Sequence, residues 1–382
     1  MIDVLLISPT DPKIPTNLRL LMSGENTYTN TLLTHPPHGI HYTYFTDALR
    51  KGEIFYSFWQ KLLPLFIQAR IFPPDPGYHC IKLQKKFDLI HCHAYSLKID
   101  GNIRPPVVLG DSSSNSLFLK EYIGWSPRRI RVQYWFRKFL HTLLDVYDRE
   151  LNVDICQRLL VFSRFARNLH IDLGAAPSEI AVIPPGLPKR VIKKRTHGHS
   201  VNILFAGVWF ERKGGNVLLA AYRNLRKRYP KIRLTLLGPL PKNIAIRDDE
   251  GMQQINFVSY KELIGIFYPS TDIFVLVPPR VEGYGMVVLE AMSFGIPIIV
   301  SDVCALPELV EDGKTGFVVK PGSVGSLTFA LDKLIRNQSL RKKMGREARK
   351  RFLKQYRTEV TNKKLFAVYQ EALQKVQSAF AF

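Results

Sequence analysis

The stretch Pro278–Pro297, PPRVEGYGMVVLEAMSFGIP, decides how the chain folds. It lies between two apolar runs, DIFVLV at 272–277 and IIVS at 298–301. The pattern predicts a strand, a short glycine-containing loop, a helix over about Met286–Phe294 and a second strand, which together make a parallel βαβ unit. In that layout backbone N–H groups near Gly285 and Met286, at the helix start, can hold a phosphate. Gly283 and Gly285 let the backbone come close to a ligand.

The helix carries Met286, Val287, Val288, Leu289, Ala291 and Met292, so it is expected to be buried on most sides. Glu290 interrupts this apolar run. A carboxylate on a buried helix is costly unless something donates hydrogen bonds to it, and sugar or ribose hydroxyls are such donors. Glu282, at the loop edge, is a second acid in the same stretch. The plainer alternative pairs Glu290 with a neighbouring base and leaves Glu282 solvated.

The spacing of the two acids resembles the E-x7-E signature of the retaining glycosyltransferases of family 4, which have the GT-B fold. The resemblance extends over the intervening glycines, the following EAM-x-x-G-x-P and the later GxxGxxV run at Gly313–Val319. It implies two Rossmann-like domains facing across a cleft, with a last helix crossing back to the first domain. It also implies transfer of a sugar from a nucleotide-activated donor with retention at the anomeric carbon. By the same resemblance Glu290 binds the ribose and Glu282 sits near the donor sugar. Gly283, Tyr284, Gly285, Met286 and Val287 line the donor site, and backbone groups near Val258 read the base.

A second glycine-bounded loop, Gly207 to Gly215, follows the strand Val201–Ala206 and precedes a helix. It holds Arg212 and Lys213, a flat two-pronged donor and a point charge, which suits a diphosphate. The family pattern here is G-R-x4-K-G. Lys213 matches its lysine, whereas Val208 stands where its arginine would be and Arg212 is the substitute. A solvated basic loop is the alternative.

The first half departs further from the family. Gly24, ahead of a helix over Thr27–Leu33, matches loosely the family's first glycine loop and is a donor-binding candidate or simply a turn. His91 and His93 end a strand, share one face of it, and are expected to face the cleft, His93 being a further site candidate. After the next strand, Pro106–Leu109, many family members place a histidine beside the transferred sugar; here Gly110 or Asp111 stands there. Asp111 could take over that hydrogen bonding. The expected catalytic set is therefore Glu282, Arg212, Lys213 and Asp111, with no metal and no cofactor besides a UDP- or GDP-linked sugar as co-substrate.

Two basic, aromatic segments stand apart from this chemistry. Residues 54–72, broken at Pro64, read as two short amphipathic segments at a bilayer or as a core helix pair. A long helix over Arg128–Arg149 mixes Arg128, Arg129, Arg131, Arg137 and Lys138 with Tyr134, Trp135, Phe136, Phe139 and Leu140. An anionic membrane surface or a packed helix with a basic edge explains it equally, ahead of single-stranded nucleic acid.

The chain has 382 residues, enough for two domains, and 46% hydrophobic content. The expected division is 1–190 for acceptor binding, 199–355 for the donor, and 356–382 as a helix returning to the first domain. Four cysteines without paired spacing suit a reduced compartment. No secretory leader and no spanning run are evident, so the expected location is the cytoplasm, with the cytosolic membrane face as an extension. The net charge of +22 divides as +10 in residues 1–195 and +12 in the rest. It fits nucleotide-sugar phosphates, anionic lipid or nucleic acid. An inactive GT-B-fold binding protein and a nucleic-acid-binding protein are the competing readings; the expected role is in cell-surface glycan or glycolipid synthesis.

Overall fold

The structure, a computed structural model, describes residues 1–8, 24–48, 54–55, 65, 68, 78–83, 85–94, 96–100, 105–112, 117, 120–121, 124–144, 156–191, 200–246 and 251–379. The chain divides into two compact units. One comprises Met1–Ile14, Tyr28–Pro184 and Thr361–Phe382; the other comprises Pro15–Thr27 and Pro185–Val360.

The first unit is built on β1 (Ile2–Ile7), β2 (Ile40–Tyr44), β3 (Ile54–Phe55), β4 (Tyr78–Lys82), β5 (Leu89–His93), β6 (Ser96–Asp100), β7 (Val107–Asp111), β8 (Arg158–Val161) and β9 (Ile180–Val182). Six of these form a parallel sheet in the order β2-β1-β5-β7-β8-β9. Its central strands are buried along their whole length, polar residues included, as in parallel sheets covered on both faces. A small sheet, β3-β4-β6, accompanies it. β3 pairs antiparallel with β4, so the amphipathic run expected from Ile54 opens as a strand. The rest of that run lies outside the described residues, apart from 65 and 68.

The second unit contains β10 (Val201–Ala206), β11 (Ile232–Leu237), β12 (Met252–Ile255), β13 (Ile273–Leu276), β14 (Ile298–Ser301) and β15 (Gly316–Val319). Their order is β12-β11-β10-β13-β14-β15, all parallel. Strand order reverses direction between β10 and β13, and the carboxyl ends of strands at such a switch are where open α/β sheets bind ligands. The helices Gly215–Arg228 and Val324–Arg336 bury Leu218, Leu219, Leu225, Leu327, Leu331 and Leu334 in this unit's core. β12 ends at Ile255, because Ser259 caps a following helical turn in a reciprocal box with Glu262.

Other boundaries moved little. The helix expected at Thr27–Leu33 runs over Gly24–Thr34, making Gly24 a helical residue. The basic helix runs over Pro127–Leu144 and begins where Ser126 Oγ accepts from the Arg129 N–H at 3.2 Å, with Pro127 in the first turn. The terminal helix spans Thr358–Ala379, and from Thr361 onward it clusters with the first unit. There the Tyr369 hydroxyl lies 2.6 Å from His91 Nδ1 and 2.8 Å from the Tyr42 hydroxyl.

Candidate functional site

The opening βαβ unit exists as β13, a loop, the helix Met286–Ser293 and β14. Gly285 caps that helix with φ 89° and ψ 53°, a left-handed conformation. A side chain there would be strained, and its Cβ would come within 2.7 Å of Leu306. The amides of Met286 and Val287, in the first turn, have no carbonyl one turn back within the helix to accept them.

Across the strand switch, the basic loop leaves β10. Lys213 Nζ donates to Glu282 Oε2 at 3.2 Å, and Arg212 lies 3.9 Å from the same oxygen. The three expected charges are therefore brought together. Gly207 makes this possible, because a Cβ at that position would fall 2.1 Å from Lys213 Cδ. The lysine stem crosses the backbone where only a hydrogen can stand. Gly214, with φ 86°, brings the loop against β13; a Cβ there would meet the Val277 carbonyl at 2.0 Å.

Glu282 is buried rather than solvated. Burial alone would push its carboxyl up, but Lys213 and Arg212 outweigh it and hold the group below the ordinary carboxylate range. Among the described residues Glu290 makes no ion pair, although Arg190 and Lys213 lie near enough to act on it. Its Oε2 accepts from the Tyr268 hydroxyl at 2.7 Å, and Thr27, grouped with the second unit, donates to Oε1 at 3.3 Å. Burial raises Glu290 to about 7, against those two hydrogen bonds. Two neighbouring acids thus have opposite tuning.

Sequence reasoning missed Tyr268, which lies 22 residues before its partner in a run, LIGIFY, that reads as plain core. It also missed Arg190, whose guanidinium donates to the Tyr260 hydroxyl at 3.1 Å. Neither pairing has a spacing signal, since the residues sit on separate elements.

Among the expected donor contacts, Gly283 and Val287 are half-buried and Val258 and Tyr284 are buried. The Tyr284 hydroxyl is pushed well above the phenol range by burial and by nearby Tyr356 and Glu308, so its ring belongs to the interior. Val258 lies in the loop after β12. Gly24 opens its helix.

The first unit gives a different result. Asp111 is the last residue of β7, is 1% exposed, and lies 3.3 Å from His170 Nε2. Its carboxylate is buried beside the His170 imidazole. His91 and His93 are likewise fully buried. They fill the space above Gly110: a Cβ there would lie 2.5 Å from His93 Nδ1 and 3.0 Å from His91 Nε2. The place where family members set a histidine is taken by two histidines from the adjoining strand. Burial, with His93 adding, lowers His91 to about 3, so it is neutral at physiological pH.

Two parallel six-stranded sheets flanked by helices, with a phosphate-suited loop and helix start at the strand switch of the second, define the GT-B fold. Solved structures agree. Sucrose-phosphate synthase from Thermosynechococcus elongatus superposes with TM-score 0.65 at 14% identity, covering 98% of this chain and 100% of that one. Anabaena HepE in complex with UDP and glucose superposes with TM-score 0.60 at 15% identity, covering 97% and 99%. Residues 191–351 match the family described as Glycosyl transferases group 1. The chain is 31% identical over 295 residues to a D-inositol 3-phosphate glycosyltransferase of Pseudarthrobacter chlorophenolicus, covering 69% of this chain and 66% of that protein. Across such curated relatives the match spans about half to two thirds of their length.

Proposed function

We propose that this chain transfers a sugar from a nucleotide-diphosphate donor to an acceptor hydroxyl, with retention at the anomeric carbon. The observation that carries the reading is the convergence of Lys213 and Arg212 on Glu282 beside the helix that begins at Met286. The ammonium, the guanidinium and the first-turn amides would take the diphosphate oxygens and stabilise the charge that grows as the sugar–phosphate bond breaks. Those cations supply the positive charge that a divalent ion supplies at other sites, so the reaction is written without a metal. Glu290 offers its carboxyl to the ribose hydroxyls, and Tyr268 fixes its orientation. Glu282 sets the position of Lys213 and lies near the donor sugar. The acceptor hydroxyl attacks from the leaving-group side, which gives retention, and passes its proton to a phosphate oxygen.

The acceptor class we assign is a glycan or lipid-linked glycan of the cell surface, supported by the basic, aromatic helix of the first unit. UDP-glucose is the first donor to try, because HepE is known in complex with UDP and glucose. The test is release of nucleoside diphosphate from a panel of UDP- and GDP-sugars with a lipid extract as acceptor, comparing wild type with Lys213→Ala. Turnover that the substitution abolishes supports the reading. Donor binding without turnover would make the chain an inactive GT-B-fold binder. Neither binding nor turnover, together with salt-dependent binding to nucleic acid, would replace the reading altogether.

A further inference from the structure

The helix Pro127–Leu144 carries a feature that the donor chemistry leaves unused. Val132, Trp135, Phe136, Phe139 and Leu143 are 44–65% exposed. Their spacing of three, four, seven and eleven residues from Val132 puts them on one face. Ile130, Tyr134 and Arg137, on the opposite face, are buried. The orientation is therefore fixed by packing, with the apolar stripe directed outward.

The charges on this helix are of one sign. The helix contains Arg128, Arg129, Arg131, Arg137 and Lys138 and not a single acid. Arg128 falls within the stripe at its amino end, Arg129 lies on one flank, and Arg131 and Lys138 lie on the other. Arg129 stacks over the Trp125 ring at 4.3 Å, and Lys138 lies 5.9 Å from the Trp135 ring. This arrangement, rings and aliphatic chains at the centre with cations at the margins, matches the acyl–headgroup boundary of a bilayer containing anionic lipid.

Two other occupants fit less well. In a two-fold dimer through this face the cations of one copy would confront those of the other, with no acid on the helix to offset them. A nucleic-acid strand would use the rings for stacking but would leave Val132 and Leu143 without a role. We infer that the Val132–Leu143 face of this helix is a membrane-docking surface that lies in the plane of an anionic leaflet. The inference does not depend on the donor site, which lies in the other unit, so either can fail alone.

The experiment is co-sedimentation of the full chain with vesicles of phosphatidylcholine alone and with about a third phosphatidylglycerol, near physiological salt. Wild type is expected to partition at least about tenfold better to the anionic vesicles. Trp135→Ser/Phe139→Ser should lower that partitioning by about tenfold or more. Arg128→Ser/Arg129→Ser/Arg131→Ser should bring the anionic value down to that for neutral vesicles. Should the first variant fold poorly, Val132→Glu, a single change on the exposed face, replaces it with the same expectation. Circular dichroism and thermal denaturation serve as controls for fold. Absence of wild-type sedimentation, or wild-type sedimentation by Trp135→Ser/Phe139→Ser, overturns the inference. So does a dimer that this variant converts to monomer with no vesicle binding, or an oligonucleotide that the wild type prefers to anionic vesicles.

Discussion

The Tyr268 hydroxyl and the Glu290 carboxylate meet at 2.7 Å inside the second unit, and burial holds that carboxyl at about 7. The folded protein therefore keeps a proton that the unfolded chain releases around its ordinary value of 4.5. This contribution to stability is complete below that pH and is lost as pH rises through about 7. The shift corresponds to about 3 kcal/mol. Urea unfolding of wild type and Glu290→Gln should show a difference between the two that changes by about that amount from pH 5 to pH 8. A constant difference would mean that Glu290 titrates normally.

Removing Lys213 leaves Glu282 buried beside a more distant Arg212. Lys213→Ala should cost about 2–4 kcal/mol of stability, because an uncompensated buried charge remains. Adding Glu282→Gln should recover most of that stability and none of the donor affinity. Chemical denaturation paired with UDP binding separates the two effects; recovery of both would show that the pair serves only the fold.

Gly207→Ala tests the passage of the lysine stem. The new methyl must displace a flexible side chain rather than backbone. Stability should fall by no more than about 1–2 kcal/mol, while donor affinity should weaken about tenfold, equivalent to about 1.4 kcal/mol. Unchanged binding to UDP would show that the position of Lys213 is immaterial to the donor.

Gly110→His restores the residue type that the family resemblance calls for, and it should fail. The interior above Gly110 is filled by His91 and His93, so overpacking of at least about 3 kcal/mol is expected, with Gly110→Ala costing about 1–3 kcal/mol. Thermal denaturation reads both. A stable Gly110→His variant with raised turnover would instead mean that the two histidines move aside.

Tyr369→Phe removes one hydroxyl that contacts both His91 and Tyr42. About 1–3 kcal/mol should be lost, since buried polar groups lose their partner. Hydrogen exchange should show the loss in the terminal helix and in β5; an effect confined to the helix end would place the hydroxyl outside the core network.

The second unit was legible in sequence because local signals coincide there. Apolar runs mark β13 and β14, glycines mark the two loops, and acids and bases stand at fixed short separations around them. What could not be read was pairing across elements: Tyr268 with Glu290, Arg190 with Tyr260, His170 with Asp111. These depend on packing that no single-sequence period encodes. Asp111 is one such case. A strand-end acid next to a missing histidine reads as a replacement, yet strand alternation turns its side chain to the face opposite Gly110. The basic helix was legible in composition but not in orientation, since only packing shows that Arg137 points inward while Trp135 points outward.

Tyr369 also bears on the order in which the protein is made. It is fully buried within the first unit, against strands contributed by the first hundred residues. On the ribosome those strands emerge well before Tyr369, which packs against them from more than 270 residues further along the chain. The second unit's sheet and its packing helices end before Thr361. It can therefore close first, with the amino-terminal unit held incomplete until Tyr369 has emerged. A nascent chain stalled before Tyr369 should expose the first unit to protease while the second resists.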